Sequence, residues 1–249
     1  MRFKVYIPAR YGATRLPGKP LADIAGRPLI QHVYDRALAS GAEEVVIATD
    51  DERIARVARG FGASVALTDS ALPSGSDRIA DAARARGEPD DLVIVNLQGD
   101  EPRMPAAVIR QVAELAQSPA CDIATVCEPL AAEQLFDPNV VKVVRDDADR
   151  ALYFSRATIP WSRDEFASGA RASAHLEVYR RHVGLYAYRV GFLARFVAAP
   201  PAMLERIESL EQLRALCFGA RILAPDAREA CGTGVDTPAD LEHLRKLLA

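Results

Sequence analysis

No two of the four cysteines, Cys121, Cys127, Cys217 and Cys231, form a CxxC pair, and the four histidines are equally scattered. That spacing indicates neither a disulfide framework nor a zinc site, and it suits a reducing compartment. No apolar run approaches the ~18 residues of a membrane-spanning helix, and the opening MRFKVYIPAR lacks the cationic-then-apolar pattern of a secretion signal. The expectation is a soluble, unprocessed, cytoplasmic protein. Runs of like charge are also missing: 31 basic and 34 acidic residues, net charge -3, are spread along the chain. No nucleic-acid or membrane patch is indicated, so an anionic ligand must be met by local basic groups. Internal repeats, low-complexity segments and linkers are not evident.

What is present is a long enough and apolar enough chain to bury a sizeable core: 249 residues, 49% hydrophobic, read as one continuous domain over 1–249. Short β-branched runs, FKVYI at 3–7, EVVIAT at 44–49, LVIVNL at 92–97 and IATV at 123–126, alternate with helix-like segments at 28–39, 51–60, 76–86 and 105–117. Strands apolar on both faces and separated by helices predict a parallel sheet covered on both sides, with ligands at the carboxyl ends of its strands. After residue 129 the pattern becomes mixed, with extended segments in NVVKVVRD and ALYFSRATIPW and an alternating strand at 182–190. The last helix, 238–248, has Thr237 as cap, Pro238 at its first position and Asp240 completing a capping box.

Five segments carry polar chemistry. IPARYGATRLPGKPL (7–21) follows the first strand and interleaves Arg10, Arg15 and Lys19 with glycine and proline, a composition suited to a loop around a polyphosphate. It is not a Walker A loop, because five residues separate its glycines and Pro20 follows Lys19. Charge alone leaves a solvated loop open. In VIVNLQGDEP (93–102) a buried strand ends in Gln98, Gly99, Asp100 and Glu101; a carboxylate there is well placed for Mg²⁺, with helix capping the plainer alternative. In CGTGVDTPADL (231–241) glycines precede Asp236, and too little chain follows for a dinucleotide-binding unit. In PSGSDRIADA (73–82), Ser74 and Asp77 make a capping box, while Arg78 sits near the first turn, where the dipole disfavours a cation. Alternation through RRHVGLYAYR (180–189) puts His182, Gly184, Tyr186 and Tyr188 on one face and Val183, Leu185 and Ala187 on the other; Glu211 and Gln212 lie on a later helix. Solvent exposure is the alternative for these last groups.

In order, IPARYGATRLPGKPL, ATDD, SGSDR, VNLQGDEP, ALYFSRATIPW, RHVGLYAYR, ESLEQLR and GTGVDTPADL, spanning residues 2–248, closely resemble the 3-deoxy-manno-octulosonate (Kdo) cytidylyltransferases. The resemblance implies a doubly wound, mostly parallel α/β sheet of the nucleotide-diphospho-sugar transferase type with a mixed-strand C-terminal half. It implies a homodimer and an Mg²⁺-dependent reaction of CTP with Kdo giving CMP-Kdo and pyrophosphate. It divides the chain into a mainly nucleotide-binding portion at about 1–128, a sugar-binding and dimer-forming portion at about 129–230, and a closing metal loop and helix at 231–249. By matching motif positions, Arg10 and Lys19, with Arg15, would hold the CTP phosphates, and Ser74 and Gln98 would lie by the cytidine. Asp100 and Asp236 would carry Mg²⁺, and Arg78, His182, Tyr186, Glu211 and Gln212 would surround the sugar acid. Catalysis would rest on Asp100, Asp236, Lys19 and Arg10, with no histidine base and no covalent intermediate. The rivals are a synthetase for another acidic sugar, such as sialic acid or amino-substituted Kdo, and a sensor that binds without turnover. Two departures stand out: Ser76 where the family has Thr, and Arg103 where an apolar residue is usual after QGDEP.

Overall fold

The computed structural model describes residues 1–12, 16–167, 169, 173 and 175–248, so Arg15 lies outside the described residues. The first half alternates as its pattern predicts: β1 (Phe3–Ala9), a short hairpin of β2 (Asp23–Ile24) and β3 (Arg27–Pro28), α1 (Leu29–Ala39), β4 (Glu44–Thr49), α2 (Glu52–Gly60), β5 (Ser64–Leu67), α3 (Gly75–Ala85), β6 (Val93–Asn96), α4 (Ala106–Leu115) and β7 (Ile123–Pro129). The second half is mixed: β8 (Lys142–Arg145), β9 (Ala151–Ser155), α5 (Arg163–Ala167), β10 (Arg180–Arg189), α6 (Val190–Ala198), α7 (Met203–Glu208), α8 (Gln212–Cys217), β11 (Ile222–Leu223) and α9 (Pro238–Leu248).

Among the described residues, nine strands share one sheet, whose main path runs β11-β7-β10-β6-β1-β4-β5, with β8 and β9 attached through β10. Strands β6, β1, β4 and β5 are mutually parallel, whereas β10 runs antiparallel to both β6 and β7. Two halves of the chain are thus joined edge to edge inside one sheet.

The central strands are apolar on both faces because both faces are covered. Val5, Ile7, Val45 and Ile47 enter one buried cluster with α1 and α4, while their sequence neighbours Tyr6, Val46 and Ala48 enter another with α3 and α6. Each fully buried Ile or Val there contributes about 1.5–3 kcal/mol relative to exposure. The same alternation divides β10: Val183, Leu185 and Ala187 join the first cluster, Tyr188 the second, with Tyr186 packed on it. Its polar-aromatic face is therefore not an open surface; Tyr188 is only 2% exposed.

Strand β5 was not anticipated. Its four residues, SVAL, lie at the sheet edge with only Ala66 buried, too short a run to mark a strand. In the mixed half, fully buried Lys142 replaces a hydrophobic anchor: its ammonium donates to the carbonyls of Asp137 (2.8 Å), Val140 (2.7 Å) and Arg156 (2.7 Å). All three of its donors are used, which is what permits a cation to be buried.

Candidate active site

Three segments distant in sequence meet at the carboxyl ends of the two central strands. Strand β1 runs on into Arg10, and β6 into Gln98, Gly99 and Asp100. A Cβ at Gly99 would fall 2.9 Å from the Pro8 carbonyl oxygen and 3.3 Å from the Ile30 side chain, so only glycine lets the β6 end pass this close to β1. The third segment closes over them: Val235 donates its N–H to the Asp100 carbonyl at 2.8 Å, and a Cβ at Gly234 would fall 2.8 Å from Glu101 Oε1. Arg103, the unusual residue after QGDEP, packs its side chain against the backbone of the same loop at Gly232.

Lys19 begins a short helical turn, Lys19–Leu21, that follows Gly18 in the left-handed conformation. Its ammonium lies 2.6 Å from Asp100 Oδ2 and 3.2 Å from Asp236 Oδ1. The two carboxylates expected to share a role thus converge on one point. Thr237 and Asp240 form the expected capping box of α9, with Asp240 N–H donating to Thr237 Oγ1 and Thr237 N–H to Asp240 Oδ2. Asp236 is left to face Lys19 rather than to cap the helix.

Negative charge is concentrated here. Burial above all, then the neighbouring charges of Asp100 and Asp236, push the Glu101 carboxyl up to about 8, against the pull of Arg181 and Lys19. Among the described residues no three His, Cys, Asp or Glu side chains are grouped to hold a metal. Two carboxylates from separate segments suit instead a hard cation such as Mg²⁺, which completes its shell with water and phosphate oxygens.

Beside this cluster is an open cleft of about 210 Å³ lined by Arg10, Lys19, Arg78, Gln98 and Asp100, with Gly75 as part of its wall. Arg10 donates to the Leu72 carbonyl, and Gln98 donates to Asn96 Oδ1 at 2.8 Å. Ser74 caps α3, accepting from the Asp77 N–H at 3.2 Å and donating to Asp77 Oδ2 at 2.6 Å, so its hydroxyl serves the helix at the cleft's edge. Arg78 is fully buried and donates to Thr68 Oγ1, with Asp50 Oδ2 at 3.4 Å from its Nη2. Burial holds its guanidinium below the usual arginine value, and Asp50 acts in the opposite direction.

The remaining predicted residues lie on β10 and at the start of α8. Ser76, a departure from the family pattern, donates to Glu211 Oε1 at 2.7 Å, so its hydroxyl is in use. Burial raises the Glu211 carboxyl above the ordinary range, and Gln212 is buried at the start of α8. The His182 and Tyr186 rings lie 5.4 Å apart, and Phe154 meets His182 edge-on at 5.0 Å. Thr125 Oγ1 lies 3.0 Å from His182 Nε2 and also donates its one hydroxyl proton to the Val183 carbonyl at 3.0 Å. The imidazole must therefore carry its proton on Nε2 and donate to Thr125. Burial, with Arg181 nearby, lowers the His182 pKa to about 3, so it is neutral near pH 7.

Residues 10, 19, 78, 98 and 100 thus line one cleft, with 74 beside its wall at Gly75 and 236 reached through Lys19, while 211 meets α3 at Ser76 and 182 and 186 pair on β10. Residues not singled out for a role include Asn96 and Tyr188, whose Nδ2 and hydroxyl are buried without a hydrogen-bond partner. Glu101, named at the strand end but given no role of its own, belongs with them, as do Asp50 and Thr125. Asn96, Glu101 and Asp50 sit inside quoted motifs, which was the available signal; Thr125 lies in an apolar strand and had none.

A family profile described as Cytidylyltransferase matches residues 5–222. A protein of Thioalkalivibrio sulfidiphilus (strain HL-EbGR7) named 3-deoxy-manno-octulosonate cytidylyltransferase is 59% identical, the match covering 100% of this chain and 99% of the relative. One of Vibrio vulnificus (strain YJ016) with the same name is 50% identical with the same coverage. Among solved structures, one described as CMP:2-keto-3-deoxy-manno-octonic acid synthetase complexed with CTP superimposes with a TM-score of 0.88 at 42% identity, covering 99% of this chain and 98% of that one. A 4-diphosphocytidyl-2C-methyl-D-erythritol synthase, 14% identical with a TM-score of 0.64 over 100% and 99% of the two chains, shares the fold.

Proposed function

The chain belongs to the cytidylyltransferase family, among the 3-deoxy-manno-octulosonate cytidylyltransferases, and from that we propose that it transfers CMP from CTP to the anomeric hydroxyl of Kdo, releasing pyrophosphate. The observation that carries this reading is the convergence of Lys19, Asp100 and Asp236 beside a cleft lined by Arg10, Arg78 and Gln98. Such a site has cations for a polyphosphate and carboxylates for a hard metal ion.

Asp100 and Asp236 would hold Mg²⁺, which when bound supplies positive charge between two anionic substrates and lowers the pKa of the attacking hydroxyl. Lys19 and Arg10 neutralise the phosphates and orient CTP for in-line displacement. Gln98, at the end of β6, and Ser74, at the cap of α3, lie by the cytidine. Glu211, which meets α3 at Ser76, with Gln212 and the β10 residues His182 and Tyr186, offers donors and acceptors to the sugar's hydroxyls. His182 serves there as a neutral hydrogen-bonding group, since its lowered pKa removes it as a cation.

The division into a nucleotide-binding portion at about 1–128, a sugar-binding and dimer-forming portion at about 129–230 and a closing loop and helix follows this placement. Homodimer formation is supported by exposed apolar side chains within the middle portion, Trp161, Met203 and Ile207 among them, the last 72% exposed. No helix among the described residues is long and apolar enough to cross a membrane, and the four cysteines are free, in keeping with a cytoplasmic enzyme of lipopolysaccharide synthesis. The test is pyrophosphate release on mixing CTP and Kdo with the purified protein. Release that depends on both substrates is expected. CTP binding without turnover would leave a sensor, and preference for sialic acid or amino-substituted Kdo would replace the acceptor.

A further inference from the structure

Asp236 is carried into the site on a stretch of chain with no secondary structure of its own. After β11 the chain lies along the end of β7, where Ala227 donates its N–H to the Cys127 carbonyl at 2.8 Å, and from there to Asp236 it is irregular. Gly232 and Gly234 fall in that stretch, where Arg103 and Glu101 leave no room for a Cβ. Glycine permits the close approach but adds backbone freedom, so the course of the loop has to be fixed by contacts at its two ends. The far end is fixed by Val235, buried with Ile24, Leu29, Leu241 and Leu244, and by its N–H bond to Asp100. At the near end, both peptide groups of Cys231 meet one ion pair. Its N–H donates to Glu128 Oε1 at 2.6 Å, and its carbonyl accepts from Arg181 Nη2 at 3.4 Å, while Arg181 also donates to Glu128 Oε2. Glu128 is buried on β7 and faces Arg181 directly across the ladder to β10. A buried ion pair is no better for stability than well-packed apolar side chains of the same volume. What it does provide is a carboxylate held in one place, with one oxygen for the arginine and the other for the loop.

We infer that Glu128, held by Arg181, is a positioning residue that fixes the start of the closing loop and so sets Asp236 opposite Asp100. This rests on the reading of those two carboxylates as the metal site. Glu128 acts only through the chain between Cys231 and Asp236. With the start released, that chain takes other courses, and two carboxylates no longer held together bind a cation less tightly.

Two measurements on Glu128→Ala and Arg181→Gln test this without turnover: the Mn²⁺ affinity of the CTP complex, read by electron paramagnetic resonance, and hydrogen exchange at the Val235 amide. Glu128→Ala should weaken Mn²⁺ binding about tenfold and Arg181→Gln about threefold. In both, the Val235 amide should exchange about tenfold faster while the amides of β7 are unchanged. CTP affinity measured with a chelator present should stay within about twofold of wild type. The two substitutions change the local charge in opposite senses, so weakening by both reports position. Tighter Mn²⁺ binding in Arg181→Gln would make the effect one of charge alone and overturns the inference. A lowered unfolding temperature with wild-type Mn²⁺ affinity makes the pair a structural strut and overturns it too. If Glu128→Ala does not fold, Arg181→Gln and Glu128→Gln decide, and unchanged Val235 exchange in both counts against it. Wild-type Mn²⁺ affinity in Asp236→Asn would instead remove the metal reading, and the Val235 exchange rates then decide by themselves whether Glu128 fixes the loop.

Discussion

Replacing Lys19 by methionine separates what the central cluster does for the fold from what it does for the reaction. The side chain keeps its length and apolar stem and loses one charge. In the native protein that charge meets Asp100 Oδ2 at 2.6 Å and Asp236 Oδ1 at 3.2 Å, with side-chain exposures of 12% for Lys19, 30% for Asp100 and 52% for Asp236. Solvent screens the Asp236 pair, so most of the structural value lies in the Asp100 contact, and the expected loss of stability is about 1–2 kcal/mol. For a chain of this size that lowers the unfolding temperature by roughly 2–8 °C. The kinetic loss should be larger: removing a fixed cation that faces developing charge costs about 10²–10³-fold, or roughly 2.7–4 kcal/mol. Pyrophosphate release per folded molecule, a thermal melt and Kdo affinity measured on the same preparation give the comparison. Normal turnover per folded molecule with a collapsed unfolding temperature would make Lys19 a structural strut. Equal loss of CTP and Kdo affinity would refute the phosphate-binding role.

Three further outcomes follow from the same geometry. Because the native His182 pKa is lowered to about 3 while the unfolded chain protonates near 6.5, the unfolded state binds the extra proton as pH falls; stability should decline between pH 6.5 and 3 by up to about 1.4 kcal/mol per unit, and denaturant titrations of His182→Gln should lose that component. Glu211→Ala should slow the reaction and blunt discrimination against deoxy analogues of Kdo by about 1–3 kcal/mol, with CTP affinity retained; wild-type discrimination would displace the sugar pocket from α8. Lys142→Met should cost about 3–5 kcal/mol in a denaturation experiment, because three carbonyls lose their donor at once, and a change below about 1 kcal/mol would mean that water replaces the ammonium.

The first half of the fold was legible because its strands are apolar on both faces and its helices begin where capping residues stand: EVVIAT is a strand over the same six residues expected, and Ser74 caps α3 as its spacing with Asp77 implies. Edge strand β5 escaped because a half-exposed run of four residues has no periodicity to detect. Motif order supplies the candidate residues and a grouping by resemblance, and the structure differs from that grouping at Arg78, which lines the cleft with Arg10 and Lys19. That Ser76 and Arg78 face opposite sides of α3 follows from helical geometry, whereas their partners, Glu211 and Asp50, arrive from elsewhere in the chain. The pairing of Asp100 with Asp236 through Lys19 spans more than two hundred residues, and no local pattern records it. Arg103 had no account in the sequence, and its contact with Gly232 became visible only when the closing loop was placed.

The central claim is that Asp100 and Asp236 together hold the divalent cation that nucleotidyl transfer needs. It is tested most directly by the rate of pyrophosphate release from CTP and Kdo as Mg²⁺ is titrated, in wild type, Asp100→Asn and Asp236→Asn. Wild type should be inactive with the ion chelated and saturate as it is restored. Each variant should keep a near-native melt and stay almost inactive at saturating Mg²⁺. Full activity under chelation, or near-normal turnover in either variant, would contradict the account.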